Sequence, residues 1–236
     1  MKTVFVTGAG RGLGLEFVRQ FLDGGHKVIA GVRNPDESGE LVGMQNLNAE
    51  RCLVVRLDVT SSQDRASAAA AIEAFSGGLD ILVNNAGCFA CEEGLQTLKD
   101  DSMLGVFHVN AVAPAMVAQA FLPLLKKSPR PVVANIISGT GFLKKAGASS
   151  NGQYSYRGSK AALNIFTVLM ADDLRDHGIV VAGLNPGFVL TDMTRKSPVP
   201  PPLLPSESVR GMIRCMENIR LSDSGGFFDW RGETCA

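Results

Sequence analysis

Thr3–Thr7 is an unbroken run of β-branched and aromatic residues, the pattern of a strand covered on both faces rather than on one. It passes directly into Gly8-Ala9-Gly10-Arg11-Gly12-Leu13-Gly14. Glu16-Phe17-Val18-Arg19-Gln20-Phe21-Leu22 follows, with apolar residues at helical spacing. Strand, glycine-rich turn and helix in this order leave few options. The glycines let main chain approach a pyrophosphate, and the free N–H groups of the helix start face the anion. Gly8, Gly12, Leu13 and Gly14 are therefore candidate cofactor-binding positions. A tight turn that is merely rich in glycine is the plain alternative, and the flanking elements weigh against it.

The same alternation continues to the end of the chain. Lys27–Val32, Leu53–Leu57, Asp80–Val83, Pro131–Ile137, Ile179–Leu184 and a stretch near Gly226–Phe228 read as further strands. Helical patterns separate them: Ser61 or Ser62 through Phe75, about Thr97 through Lys127, the stretch around Tyr156 through Arg175, and Ser206 through Ile219. This order predicts an α/β fold over residues 1–236. It is a single-domain, Rossmann-like, doubly wound parallel sheet of about seven strands with helices on both faces. Ser197-Pro198-Val199-Pro200-Pro201-Pro202 is a proline-rich connector, short enough to be a lid.

With 236 residues the chain can bury a full core. Lys+Arg and Asp+Glu number 23 each, without the basic excess of a nucleic-acid binder. Met1 is followed at once by the first strand, with no charged leader. The most apolar long stretch, Ala111–Leu125, is too short to span a bilayer. A soluble, cytoplasmic protein with reduced thiols is expected from this and from the odd cysteine count of five. Cys88 and Cys91 form a Cys-x-x-Cys, but His26, His108 and His177 supply no second ligand pair, so no metal site is expected.

Two features bear on chemistry. Tyr156 and Lys160 lie four residues apart, so on a helix they share one face. A cation beside a phenol favours the phenolate, which suits a proton donor to a carbonyl or an acceptor from an alcohol. Alone, the pair is equally well a packed ring and a solvated charge. Arg33-Asn34-Pro35 follows the second strand, where an acid would hold the 2′-hydroxyl of NAD and an arginine suits a 2′-phosphate. No acid precedes Asp36. Arg11, inside the glycine loop, approaches the same end of the adenosine ribose. Arg33 could also be an ordinary surface charge. Taken together, the two arginines predict NADP(H).

Thr7–Gly14, Asn84-Asn85-Ala86-Gly87, Ser138, Tyr156 with Lys160, and Asn185-Pro186-Gly187 together resemble the short-chain dehydrogenase/reductase family across essentially the whole chain. Tyr154–Asn164, Pro186–Met193 and Gly225-Gly226-Phe227-Phe228-Asp229 are similar to its C-factor and sniffer-type carbonyl reductase branch. The resemblance implies an oxidoreductase moving hydride between nicotinamide and a small carbonyl or alcohol substrate. Ser138 would bind the substrate oxygen, Tyr156 would transfer the proton, and Lys160 would lower the tyrosine pKa and hold the nicotinamide ribose. Asn110 would hold a water as a proton relay. Asp58, Val59, Asn84, Ala86, Gly87, Pro186, Gly187, Val189 and Thr191 would position the dinucleotide, and the chain would pair with itself as a dimer or tetramer. Phe89–Leu95, the loop after Ser138 and Pro198–Leu204 would shape the substrate pocket. In this chain Gly147–Gly152 looks inserted before Tyr156. Tyr154 is a rival phenol, but Gly158 stands where its lysine would be. A dinucleotide-binding redox-sensing or signalling protein needs only the glycine loop, so Ser138, Tyr156 and Lys160 favour turnover. A double-bond reductase uses the same scaffold and remains an alternative.

Overall fold

The computed structural model describes residues 1–90, 94–145, 152–195 and 197–235. Seven strands form one sheet: β1 (Thr3–Thr7), β2 (Lys27–Val32), β3 (Cys52–Arg56), β4 (Ile81–Asn84), β5 (Val132–Ile136), β6 (Val180–Asn185) and β7 (Phe227–Asp229). Their order is β3-β2-β1-β4-β5-β6-β7, and every pair is parallel. The expected doubly wound architecture is present. The direction of winding reverses between β1 and β4, so the loops leaving these two strands part there and open a crevice.

Side-chain alternation explains why the strands read as continuously apolar. Val4 and Val6 of β1, Ala30 of β2, Val83 of β4 and Ala182 of β6 enter one core. Phe5, Ile29, Leu82 and Val181, the residues between, enter the other. The first core is closed by α1 (Gly12–Asp23), by Leu41 of α2 (Gly39–Leu47) and, after β6, by α7 (Pro205–Asn218). The helix α2 carries no marked apolar periodicity and was not anticipated. The second core is closed by α3 (Ser62–Ser76) and α5 (Ala113–Leu125). Ser61 caps α3, its hydroxyl accepting the Asp64 N–H at 3.1 Å.

The long helix expected over 97–127 is interrupted. It consists of α4 (Asp100–Phe107), one π-helical turn at His108–Val112, and α5. Pro114 has no N–H to donate to the carbonyl of Asn110 four residues before it, and the wider turn accommodates this fault. The combined run, Asp100–Leu125, has 26 residues and is long and apolar enough to cross a membrane on length and composition. Its apolar face belongs to the core: Ala113, Val117, Phe121 and Leu125 are fully buried. Finally, α6 (Tyr154–Asp173) packs against α4, the π turn and β6. The inserted loop expected at Gly147–Gly152 lies outside the described residues except for Gly152, as does Cys91.

Candidate active site

The loops after β1 and β4 are joined by side chains at the switch point. Thr7 Oγ1 accepts the N–H groups of Asn85 and Ala86, both at 3.0 Å. Asn85 Nδ2 donates to the carbonyls of Thr7 (2.9 Å) and Gly8 (3.1 Å). This closeness requires glycine. Gly8 sits at φ +64°, and a Cβ there would stand 2.9 Å from Ala86 Cα. A Cβ on Gly14 would lie 2.1 Å from the Gly8 carbonyl oxygen. Backbone is thus exposed to the crevice with no side chain in front of it, which fits a pyrophosphate laid across the start of α1. The glycine loop was legible in the sequence. Its supports, Thr7 and Asn85, went unassigned although both stand inside the quoted motifs.

Asn84 takes another part. Its buried Nδ2 donates to Asn135 Oδ1 (2.9 Å) and to the Pro114 carbonyl (3.2 Å), and Asn135 donates onward to Thr167 Oγ1 (2.9 Å). This side chain ties β4, β5, α5 and α6 together beneath the crevice, leaving only its main chain to meet a cofactor. Gly87 lies beside Lys160: a Cβ there would stand 4.0 Å from Nζ.

Ser138 leaves β5 and Tyr156 rises from the first turn of α6, and their hydroxyls hydrogen-bond. The Ser138 hydroxyl also meets that of Thr140 at 2.8 Å. Gly141 makes the approach of the two elements feasible, because a Cβ there would lie 2.8 Å from the Lys160 carbonyl carbon. Lys160 is buried, with Nζ donating to the Ile136 carbonyl at 2.7 Å and lying 6.0 Å from the Tyr156 ring centre. Burial lowers its pKa to about 8, opposed in part by Cys88. The Tyr156 phenol is pushed upward by burial, with the Ser138 hydrogen bond acting in the other direction. The sequence-based expectation of a lowered phenol is not met in this arrangement. Lys160 points its protons at a carbonyl, and desolvation prevails. Tyr154, the rival phenol, is exposed on the outer side of the helix turn.

Asn110, fully buried in the π turn, pairs with the Cys88 peptide from both sides. Its Oδ1 accepts the Cys88 N–H (2.8 Å) and its Nδ2 donates to the Cys88 carbonyl (2.9 Å). Nδ2 also donates to Ser159 Oγ at 3.1 Å. With the side chain so committed, a relay water would have to use the main-chain carbonyl of Asn110.

At the other end of the crevice Arg33 is exposed just beyond β2, close enough to Asp58 to favour its carboxylate. Two hydrogen bonds from Thr60, led by its hydroxyl at 2.7 Å, hold the Asp58 pKa below the usual carboxylate range. Val59 is buried beside it. Arg11, in the glycine loop, is largely exposed. Its guanidinium lies 3.9 Å from Asp192, which also pairs with Arg195 at 2.6 Å. The segment after β6 forms the outer wall. Ser208 Oγ donates to the Pro186 carbonyl at 2.7 Å, Gly187 turns at φ +80° beneath Trp230, and Leu190 N–H donates to the Leu203 carbonyl at 2.9 Å. The proline-rich connector therefore returns alongside Val189. Gly12, Leu190, Thr191, Asp192 and Arg195 line a pocket of about 300 Å³ between this wall and the glycine loop.

The family profile of the short chain dehydrogenases matches residues 2–200. The C-signal protein of Myxococcus xanthus is 39% identical over 158 residues, 66% of this chain and 92% of that protein. The NADPH-bound carbonyl reductase of chicken fatty liver superposes with a TM-score of 0.93 at 33% identity, covering 100% of this chain and 99% of that one. The carbonyl reductase Sniffer of Drosophila melanogaster gives 0.92 at 28% identity, with the same coverage. A parallel sheet wound outward from a glycine cradle, a serine and tyrosine in hydroxyl contact beside a buried lysine, and a profile match over most of the length lead to one assignment: the chain belongs to the short-chain dehydrogenase family of oxidoreductases.

Proposed function

We propose that the protein is an NADPH-dependent carbonyl reductase in which Tyr156 is the proton donor. The observation that carries this reading is the hydroxyl contact between Ser138 and Tyr156 at the open side of the glycine cradle, with the Lys160 ammonium buried behind it. A bound nicotinamide would supply the hydride to the carbonyl carbon. Ser138 donates a hydrogen bond to the carbonyl oxygen and sets its position. Tyr156 transfers its phenolic proton to that oxygen, so the product is the alcohol and the residue becomes phenolate. Lys160 stabilises that phenolate, and the proton is restored from solvent through a water on the Asn110 carbonyl. Arg33, exposed just beyond β2, would pair with a 2′-phosphate, which supports NADPH over NADH, as does the NADPH found in the chicken relative.

NADPH oxidation over a panel of aldehydes and ketones tests this reading, with alcohol products separated from saturated carbonyl products. Tyr156→Phe should lower turnover by on the order of a hundredfold or more, while leaving NADPH binding near wild type. Tyr154→Phe should stay within about twofold, because its ring lies outside the pocket. Equal turnover by the two variants would overturn the assignment of the proton donor.

A further inference from the structure

Hydrogen bonds on the Tyr156 backbone join it to the loop after β4. Ser159 Oγ donates to the Tyr156 carbonyl at 2.8 Å and accepts from Asn110, which in turn grips both sides of the Cys88 peptide. The loop after β4 and the first turn of α6 are thereby joined through one asparagine and one serine. The next residue along that loop is Phe89. Its ring meets the Tyr156 ring edge to face, with centres 5.5 Å apart and planes at 61°. Phe89 is 41% exposed, far more than a ring kept for core burial, and it belongs to neither of the two cores. What the hydrogen-bonded chain fixes at Phe89 is therefore the position of a ring against the phenol.

We propose that Phe89 is a positioning residue for Tyr156, holding the plane of the phenol so that its hydroxyl stays directed at Ser138 and the substrate oxygen. The idea rests on Tyr156 being the proton donor. Geometry favours the role over simple space filling. An edge-to-face pair has a preferred angle, which an aliphatic side chain of similar size would not impose on the Tyr156 ring. The anchor is also stiff where it must be, since the Cys88 peptide is held at both its N–H and its C=O by a side chain that is itself fully buried.

Phe89→Ala, Phe89→Leu and Phe89→Tyr separate the possibilities. The full-length protein should be assayed with NADPH and a reducible aldehyde, alongside Tyr156→Phe. Losing one aromatic pair should lower kcat roughly three- to tenfold in Phe89→Ala. Phe89→Leu should remain equally low, and Phe89→Tyr should recover wild-type kcat because the ring is kept. The NADPH dissociation constant should stay within about twofold throughout. The solvent deuterium isotope effect on kcat should grow in the Ala and Leu variants as proton transfer becomes slower. Wild-type kcat in Phe89→Leu would overturn the proposal by showing that bulk suffices, and so would a change confined to KM, which would make Phe89 a substrate contact. Parallel loss of thermal stability and NADPH affinity would overturn it in favour of loop support. If Tyr156→Phe kept wild-type turnover, the proton-donor reading and this one would fall together. An inactive Tyr156→Phe beside a fully active Phe89→Leu would sink this one alone.

Discussion

At the scale of single residues, the crevice separates two kinds of charge. Lys160 is deep and desolvated, while Arg33 stands in solvent at the rim, and their expected effects differ accordingly. A charge-assisted hydrogen bond contributes about 1.5–3 kcal/mol net, so Arg33→Ala should weaken NADPH binding by roughly ten- to a hundredfold. NADH has only a 2′-hydroxyl to offer and should hardly respond. Fluorescence titration of both cofactors at fixed ionic strength checks this, because salt screens the phosphate contact. An equal loss for both cofactors would return Arg33 to an ordinary surface charge. Arg11, expected to share this task, is largely exposed, with its guanidinium 3.9 Å from Asp192. Composition cannot distinguish these arginines. Only the path of the chain after β6 brings Asp192 to Arg11.

At the scale of elements, the distance between the turn after β5 and α6 decides whether Ser138, Tyr156 and Lys160 act as one group. Gly141 sets that distance, since an added Cβ would meet helix backbone at 2.8 Å and 3.0 Å, and neither atom can swing away. Gly141→Ala should therefore push the serine from the tyrosine. A displacement near one ångström commonly costs about a hundredfold in rate, so kcat should fall by more than tenfold. Gly105→Ala is the matched control. It lies inside α4 with nothing within 4 Å of the added methyl, and should raise stability by up to about 1 kcal/mol with kcat unchanged. Steady-state kinetics and urea unfolding of the two variants make the comparison. The π turn shows the same logic from the other side. Pro114 was visible in the sequence as a fault in a long helix, but the fault is what turns Asn110 into a clamp on Cys88 rather than one more core residue.

For the whole molecule, the mechanism proposed above sets stability against function at Lys160. Burial lowers its pKa from 10.5 to about 8, so between those values the unfolded chain binds more protons than the folded one. Stability contributed by this group therefore rises with pH from about 8 to 10.5, and below that window the full penalty of a buried ammonium is present. At about 1.4 kcal/mol per pKa unit, Lys160→Met should stabilise the protein at pH 7 by up to about 3 kcal/mol while abolishing turnover. The gain should shrink as pH approaches 10, and urea unfolding of both proteins at pH 7 and 10 measures it. A variant less stable than wild type at pH 7 would show that the Ile136 hydrogen bond outweighs the desolvation. The sequence by itself determined the alternation of strands and helices, the glycine cradle and the helical pairing of Tyr156 with Lys160. All three depend on residues near one another in the chain, where periodicity, glycine and one helical turn carry the information. The tertiary structure alone decided that Asn85 and Thr7 weld two loops, that Asn84 points into the core, that Arg11 faces Asp192, and that Phe89 meets Tyr156. Each of those contacts joins residues distant in sequence, and the packing of side chains across parallel strands, which no local pattern encodes, brings them together.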